Sequence, residues 1–327
     1  MSTSIRPRLV NGRFGDPALF VEFAHEREAV LLDCGDLTAL SARDLLRIDT
    51  VAVSHMHMDH LIGFDALLRI NVGREARIDL FGPEGFADRI GHKLQGYTWD
   101  LADRYTTDLV FHVAELVAPE RLQRFAFRFS RRFAAEELGE GEAPEGVICD
   151  TPRWRLTAAI LDHHGPCLGY ALEEPQRLNV WTTRLQKRGL APGPWLNSLK
   201  EAVRQGAPDE TDIALPDGSV EPLGSLRGLI NTTSGTKIGY ATDLRDTPAN
   251  RAALERLFAD AHVVFLEASF AADEQGRAWE RAHLTTRAGG EIARAAGARR
   301  IEPFHLSPRY EDEEDRLLAE VKAAFKS

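Results

Sequence analysis

The stretch SHMHMDHLIGF at residues 54–64 places three histidines and an aspartate within six positions. It overlaps the end of DTVAVSH at 49–55, whose apolar and β-branched residues predict a buried strand. The segment that follows, LIGFDALLRI, has the apolar spacing of a helix. The polar side chains therefore lie where a strand ends and before a helix begins, as in an α/β fold.

The spacing inside this loop predicts a metal site. Residues two apart in an extended backbone point the same way, so His55 and His57 can hold one ion. After a turn, Asp59 and His60 can face a neighbouring ion. Imidazole and carboxylate groups are the ligands expected for Zn²⁺ or a similar divalent metal. The alternative is a solvated polar loop, and so many histidines at one strand end favour metal binding over it.

Four residues are too few to complete two metal sites, and three later strands end in residues that can complete them. His163 follows TAAILD, Asp243 follows IGYAT, and His305 follows IEPF. Open α/β sheets bind their ligands at the carboxyl ends of the strands. Each of these residues alone can equally belong to the core or to a loop. Together they indicate a dinuclear site.

Composition and length describe a globular chain. The 327 residues are 43% hydrophobic and 28% charged, which excludes global disorder. No run of 18 apolar residues is present, and MSTSIRPRLVNGRFGD at the N-terminus lacks the apolar core of a secretory signal. The three cysteines are widely separated, which argues against a disulfide scaffold. We expect a cytoplasmic protein without membrane contact.

The charge distribution bears on nucleic-acid binding. A net charge of −10 counts against a broad nucleic-acid surface, because phosphate binding requires basic residues. However, RLQRFAFRFSRRF at 121–133 alternates arginine with phenylalanine, and such side chains can bind phosphates and stack bases. A strand with Phe facing the core and Arg facing water explains the alternation more simply, and we favour it. Arg309 is a second candidate phosphate contact, or a partner of a carboxylate.

The domain organisation predicted is one domain over 1–327 with an inserted arm at 183–235. The arm is rich in Pro and Gly, as in RGLAPGPWLNSLK and DETDIALPDGS, and has only isolated apolar residues. Strand signals resume with TKIGYATD at 236–243. Another segment, EELGEGEAPEG at 136–146, is expected to be an acidic loop.

The motifs and their order resemble the metallo-β-lactamase superfamily and, within it, the ribonuclease Z family. SHMHMDHLIG resembles the superfamily's S-H-x-H-x-D-H-x-x-G signature, and LDHHGPCLGYALEE resembles its third histidine motif. YATDLRDT resembles the bridging-aspartate motif, and PFHLSPRY the C-terminal ligand motif. APGPWLNSLK resembles part of the flexible arm of ribonuclease Z. The resemblance runs from about residue 28 to residue 310.

This resemblance implies a fold and a set of metal ligands. The fold is the metallo-β-lactamase αβ/βα four-layer sandwich, in which two mixed sheets pack face to face with helices outside. The implied ligands are His55, His57 and His163 for one zinc, Asp59, His60 and His305 for the second, and Asp243 bridging both. His164 is the rival of His163, and the spacing to the following Gly-Tyr pair favours His163. Such ligands also accept Mn²⁺ or Fe²⁺.

The function implied is a zinc-dependent phosphodiesterase that acts on RNA, at the 3′ end of tRNA. Two metal ions would activate a water that attacks the phosphodiester. Asp59 would orient or deprotonate this water, while His283 and Glu267 would protonate the leaving oxygen. The alternative for His283 is a capping or surface role. The resemblance also implies a homodimer.

Three departures from the family pattern leave the substrate open. Met58 stands where the metal loop usually has Gly, which narrows the space near the ions or moves the loop. RPRLVNGRFGDPALF at 6–20 lacks the family's Lys-x-Arg-Asn phosphate loop, and the arm is less basic than a tRNA clamp should be. One alternative is a metallohydrolase of the same superfamily for a small phosphodiester, ester or thioester. Another is a metal-dependent binding or sensing protein without turnover.

Overall fold

The structure is a computed structural model that describes residues 5–24, 26–175 and 177–327. The strands are β1 Ile5–Leu9, β2 Leu19–Phe23, β3 Ala29–Leu32, β4 Ile48–Ala52, β5 Ala76–Pro83, β6 Leu109–Ala118, β7 Arg121–Arg128, β8 Ala135–Glu142, β9 Val147–Asp150, β10 Arg155–Asp162, β11 Pro166–Glu173, β12 Arg177–Val180, β13 Asp212–Ala214, β14 Val220–Pro222, β15 Ile230–Thr233, β16 Lys237–Ala241, β17 Val263–Glu267 and β18 Ile301–Phe304. The helices are α1 Ala42–Leu45, α2 Phe64–Asn71, α3 Phe86–Gln95, α4 Thr182–Lys187, α5 Trp195–Arg204, α6 Leu223–Leu226, α7 Pro248–Leu257, α8 Gln275–Arg281, α9 Thr286–Ala295 and α10 Glu314–Lys326.

These elements form two compact units. The larger unit runs to Glu173 and resumes at Thr236, and the smaller one is Glu174–Gly235. Within the described residues, the larger unit contains an eight-stranded sheet in the order β1 to β8 and a six-stranded sheet in the order β18-β17-β16-β11-β10-β9. Strands β3 to β6 are parallel to one another, as are β16 to β18. Both sheets are mixed.

Three apolar clusters order the layers of the larger unit. Side chains from both sheets, such as Leu19 of β2 and Tyr170 of β11, form a shared core between them. The other face of the larger sheet packs against α2 and α3, and the other face of the smaller sheet against α7 and α9. The order is therefore helices, sheet, sheet, helices. The predicted αβ/βα four-layer sandwich is confirmed.

The acidic segment 136–146 was expected to be a loop, and the structure corrects this. Its first part forms strand β8, which pairs antiparallel with β7. Charge pairing explains the strand, because Arg128 and Arg131 both lie 3.4 Å from a carboxylate oxygen of Glu136. Phe127 and Phe129 are buried. Arg128, Arg131 and Arg132 thus pair with carboxylates at the surface, while Phe127, Phe129 and Phe133 fill the core.

The smaller unit begins before the arm predicted at 183–235. Strand β12 pairs with β15 at the far end of the segment, which brings residues before 183 into the unit. A second pair, β13 with β14, and helices α4 to α6 complete it. Its core includes Leu185, Trp195 and Leu199. Leu185 lies on α4, and Trp195 and Leu199 lie on α5. These apolar residues looked isolated in sequence because the core collects them from several short elements.

Candidate metal centre

The loop after β4 presents its donors from a backbone tied to the neighbouring strand. Cys34 N–H donates to the His60 carbonyl, and Gly63 N–H donates to the Cys34 carbonyl, both at 2.9 Å. His57 precedes a short 3₁₀ turn over Met58–His60, which brings Asp59 and His60 round toward the same space. The carboxyl ends of β3 and β4 and this turn together position the donors.

The structure brings together all seven residues predicted as metal ligands. One group consists of His55, His57, His163 and Asp243, and the other of Asp59, His60, Asp243 and His305. Within each group the donor atoms lie within 4.8 Å of one another. His163 lies in the first group, while the adjacent His164 is exposed. Asp243 belongs to both groups.

The carboxylate of Asp243 lies between the histidines of the two groups. Its Oδ2 is 3.1 Å from His60 Nε2 and 3.3 Å from His55 Nε2. Its Oδ1 is 2.9 Å from His305 Nε2. Asp243 and His305 both follow strand ends and have φ of 54° and 52°. Such left-handed backbone is unfavourable for residues other than glycine, and it concentrates at functional sites.

The donor set fits a pair of divalent cations. His55 Nε2 is buried and, although Asp243 Oδ2 lies 3.3 Å away, it makes no hydrogen bond among the described residues. An orphaned buried nitrogen is costly unless something binds it. Nitrogen and carboxylate oxygen donors in sets of four suit zinc and its neighbours in the first transition row.

The protonation states of three donors, His57, His163 and Asp59, suit metal binding, because ligands must be deprotonated. Burial lowers the pKa of His163 to about 4. Burial and the nearby His55 lower the pKa of His57 as well. For Asp59, burial acts to raise the pKa, but the hydrogen bond and charge of His60 lower it to about 2. At neutral pH the two imidazoles are neutral and the carboxylate is ionised. For His60 and His305, burial acts to lower the pKa, but nearby carboxylates raise it.

A buried network orients the histidines from behind. Asp33 accepts hydrogen bonds from Ser54 N–H at 2.6 Å and from the Tyr240 hydroxyl at 2.7 Å, and it lies 3.0 Å from His60 Nδ1. His163 Nδ1 lies 2.8 Å from the Ala282 carbonyl. Such partners fix the ring orientation and tautomer of metal-binding histidines. The sequence analysis missed Asp33, although it too stands where a strand ends.

His283 and Glu267 lie beside the donor groups. His283 Nδ1 is 2.8 Å from Glu267 Oε2 and 3.6 Å from Asp243 Oδ1. Glu267 is fully buried and accepts from Ser269 Oγ and from Leu244 N–H, each at 2.7 Å. Burial opposes protonation of His283, but the charge and hydrogen bond of Glu267 raise its pKa to about 9. This imidazole can therefore carry a proton at neutral pH.

Met58 does not narrow the site in the way considered from the sequence. Met58 is 76% exposed at the first position of the 3₁₀ turn. A cavity of about 710 Å³ instead opens beside Asp59, His283 and His305. The donor group that contains Asp59 and His305 is therefore accessible to a substrate from this side.

Solved structures with this architecture define the class of protein. The metallo-β-lactamase fold protein YhfI of Bacillus subtilis superposes with a TM-score of 0.56 at 16% identity, over 98% of this chain and 92% of that one. Human tRNase Z, short form, gives 0.53 at 17% identity, over 94% and 92%. At these identities the likeness shows the fold, and the fold is that of a metallo-β-lactamase.

Sequence relatives make the assignment narrower. Ribonuclease Z of Deinococcus radiodurans is 35% identical over 302 residues, 90% of this chain and 88% of the relative. Ribonuclease Z of Geobacillus kaustophilus is 32% identical over 308 residues, 90% and 83%. No protein-family model matches the sequence. The chain belongs to the ribonuclease Z family, which confirms the predicted resemblance and the prediction of an enzyme, a hydrolase of the metallo-β-lactamase superfamily.

The helices of the structure bear on the prediction of a protein without membrane contact. Among the described residues, no helix is both long and apolar enough to cross a bilayer.

Proposed function

We propose that this protein is a dinuclear, zinc-dependent phosphodiesterase that cleaves RNA at the 3′ end of tRNA precursors. The observation that carries the proposal is the pair of donor groups that share Asp243 beside the His283–Glu267 pair. Relatives named ribonuclease Z support RNA as the substrate. A tRNA substrate would place the protein in the cytoplasm.

The proposed ligands are those of the two donor groups. His55, His57 and His163 would hold one ion, and Asp59, His60 and His305 the other, with Asp243 between them. Zn²⁺ is the ion proposed, and Mn²⁺ or Fe²⁺ suit the same donors. When bound, such a pair of ions supplies Lewis acidity that activates water and stabilises the charge of in-line phosphoryl displacement.

The chain's own residues would handle the protons. Asp59, ionised and half-buried at the cavity, would accept a hydrogen bond from the attacking water through a carboxylate oxygen. His283 uses Nδ1 toward Glu267, so Nε2 is left to donate its proton to the leaving oxygen. Glu267 would hold the imidazole in that orientation and stabilise its charged form. Glu267 is a positioning residue in this scheme.

The test compares two substrates with and without metal. Purified protein is stripped with a chelator, reloaded with Zn²⁺ or Mn²⁺, and assayed on bis(p-nitrophenyl) phosphate and on a precursor tRNA. Metal-dependent cleavage of the tRNA at its 3′ trailer is expected. Hydrolysis of the small diester alone would favour the small-substrate metallohydrolase. Metal binding without turnover of either substrate would favour a sensing protein.

The smaller unit and the oligomeric state complete the proposal. We propose that the smaller unit is the counterpart of the ribonuclease Z arm and contacts the RNA. Its exposed Trp181 carries the Arg184 guanidinium 5.1 Å above its ring, a pair that suits contact with RNA bases and phosphates. Removal of residues 185–210 should reduce tRNA cleavage far more than hydrolysis of the small diester. The proposed homodimer is tested by light scattering coupled to size-exclusion chromatography.

A further inference from the structure

The cavity beside the metal centre is lined by three arginines that the catalytic scheme does not use. They are Arg277, Arg281 and Arg309, and Asp59, His283 and His305 line the same cavity. Its volume of about 710 Å³ is in the range of small-ligand sites. A substrate at the donor groups would therefore extend past these guanidinium groups.

Helix α8 sets the position of two of these arginines relative to His283. Arg277 and Arg281 are four residues apart, so they lie on one face of the helix, toward the cavity. The helix ends at Arg281, and His283 N–H then donates to the Ala278 carbonyl at 2.9 Å. The backbone turn that this hydrogen bond closes therefore fixes where Arg281 lies relative to His283.

Arg277 and Arg309 are held in place by one carboxylate. Arg277 Nη1 and Arg309 Nη2 both lie 3.4 Å from Glu274 Oε1. The Tyr310 hydroxyl donates to the other oxygen of Glu274. Each guanidinium group has five N–H donors and uses only part of them here. The rest can bind an anion in the cavity, and Arg309 is further ordered by lying 5.2 Å above the Tyr310 ring.

Arg281 differs from the other two. It is exposed, it lines the cavity, and among the described residues it has no ion pair within 4.0 Å. Glu280 and Asp16 also line the cavity, so the wall is not uniformly basic. Arg281 therefore has a guanidinium group without a carboxylate partner in the described part of the chain, two residues before His283 in the sequence. This group can donate two hydrogen bonds to one anion. Arginine binds phosphate in this way, with two parallel hydrogen bonds.

We propose that Arg281, supported by Arg277 and Arg309, binds the phosphate of the nucleotide next to the scissile phosphodiester. This inference rests on the proposed function and deepens it. The substrate class is then a polynucleotide strand with at least two consecutive phosphates, one at the donor groups and the next at the arginines.

The experiment uses the full chain with Zn²⁺ and the variants Arg281→Ala, Arg281→Lys and Arg287→Ala. Arg287 is the matched control, since it is an exposed arginine of the adjacent helix α9 that does not line the cavity. Cleavage of a precursor tRNA and of bis(p-nitrophenyl) phosphate is measured for each. Binding of the same tRNA to chelator-treated protein is measured between 50 and 300 mM salt.

For Arg281→Ala we expect kcat/KM on the tRNA to fall about tenfold more than on the small diester. The logarithm of the binding constant decreases with the logarithm of the salt concentration, and this decrease should become shallower by about 0.7 in slope because one phosphate contact is lost. Arg281→Lys should recover part of the affinity, and Arg287→Ala should resemble wild type.

The two hypotheses fail in different ways. If wild type cleaves the tRNA and Arg281→Ala matches Arg287→Ala in kcat/KM and in salt slope, the phosphate subsite is wrong and the proposed function stands. If Arg281→Ala loses the same factor on both substrates with an unchanged slope, the arginine acts on the donor groups and the subsite is again wrong. If wild type cleaves neither substrate with any metal, the proposed function itself fails.

Discussion

At the scale of single residues, a substitution of His283 can distinguish a loss of proton transfer from a loss of metal binding. Replacing it with alanine removes the proposed proton donor but none of the proposed ligands. We expect kcat to fall by about 10² to 10⁴, the usual contribution of general acid catalysis. Bound zinc, measured by plasma emission spectroscopy, should stay at the wild-type value. A loss of zinc in proportion to activity would show that His283 is a ligand.

The neighbouring histidines His163 and His164 provide a matched pair. His163 is buried among the donors and His164 is exposed, although the two are adjacent in sequence. His163→Ala should therefore lower zinc content and abolish turnover, because metal sites that lose a ligand bind much more weakly. His164→Ala should keep both within about twofold. Equal zinc loss in the two variants would contradict the proposed ligand set.

The sequence predicts such donors well when they are local and follow strands. His55 to His60 stand in one loop, and strand periodicity plus a recognisable motif are enough to group them. The sequence cannot reveal Asp33 or Arg281 in the same way. Asp33 acts through contacts with Ser54, which follows the neighbouring strand β4, and with Tyr240 of β16, which comes close only after the two sheets pack. Arg281 has meaning only through the cavity that it lines.

At the scale of elements, the metal loop depends on a close backbone approach at Gly63. A Cβ at this position would overlap the carbonyl oxygen of Gly35 and would lie 2.5 Å from Leu37 Cγ. We therefore expect Gly63→Ala to push the loop away from β3. It should lower the free energy of unfolding by about 1 to 3 kcal/mol and weaken zinc binding. Denaturant unfolding and metal titration measure the two effects.

Gly165 provides the control for this substitution. It lies in the turn between β10 and β11, beside His163, and a Cβ there would meet nothing within 4 Å. Gly165→Ala should leave stability within about 0.5 kcal/mol of wild type. Should Gly63→Ala behave like Gly165→Ala, the close approach has no role in positioning the donors.

Elements whose partners are distant in sequence are the ones that sequence patterns describe least well. The run of carboxylates and glycines in β8 is typical of a loop, and only the arginines of β7 across the strand pair make it a stable edge. The beginning of the insertion is a second example, because the arm was predicted to begin at 183 and the smaller unit begins at Glu174. The pairing of β12 with β15 spans the whole insertion, so its beginning depends on residues near its end.

At the scale of the whole molecule, Asp49 should make stability depend on pH. Burial raises the pKa of Asp49 to about 6. Since the folded state binds this proton more tightly than the unfolded state, stability decreases as pH rises from about 4 to above 6. Asp49→Asn cannot ionise, and its Oδ1 can still accept from Thr50, which lies 3.0 Å away. The variant should therefore gain up to about 2 kcal/mol over wild type at pH 7.5 and less at pH 5, by denaturant unfolding.

The control is Asp100→Asn, which removes one exposed carboxylate. Its stability relative to wild type should not change between the two pH values by more than about 0.5 kcal/mol. If Asp49→Asn shows the same flat difference, the burial of Asp49 has no energetic consequence.

Metal binding should stabilise the larger unit as a whole, because its donors come from both sheets. His55 to His60 follow a strand of the eight-stranded sheet, while His163, Asp243 and His305 follow strands of the six-stranded one. Ions held between them would link the two sheets, and the unfolded chain has no such site. With free zinc at 1,000 times its dissociation constant, the gain is about 4 kcal/mol. We expect the Tm, followed by circular dichroism, to rise by several degrees when chelator is replaced by zinc. The Asp243→Ala variant, which lacks the shared carboxylate, should unfold at the same temperature in both conditions. A full increment in that variant would mean that the stabilising ion is bound elsewhere in the chain.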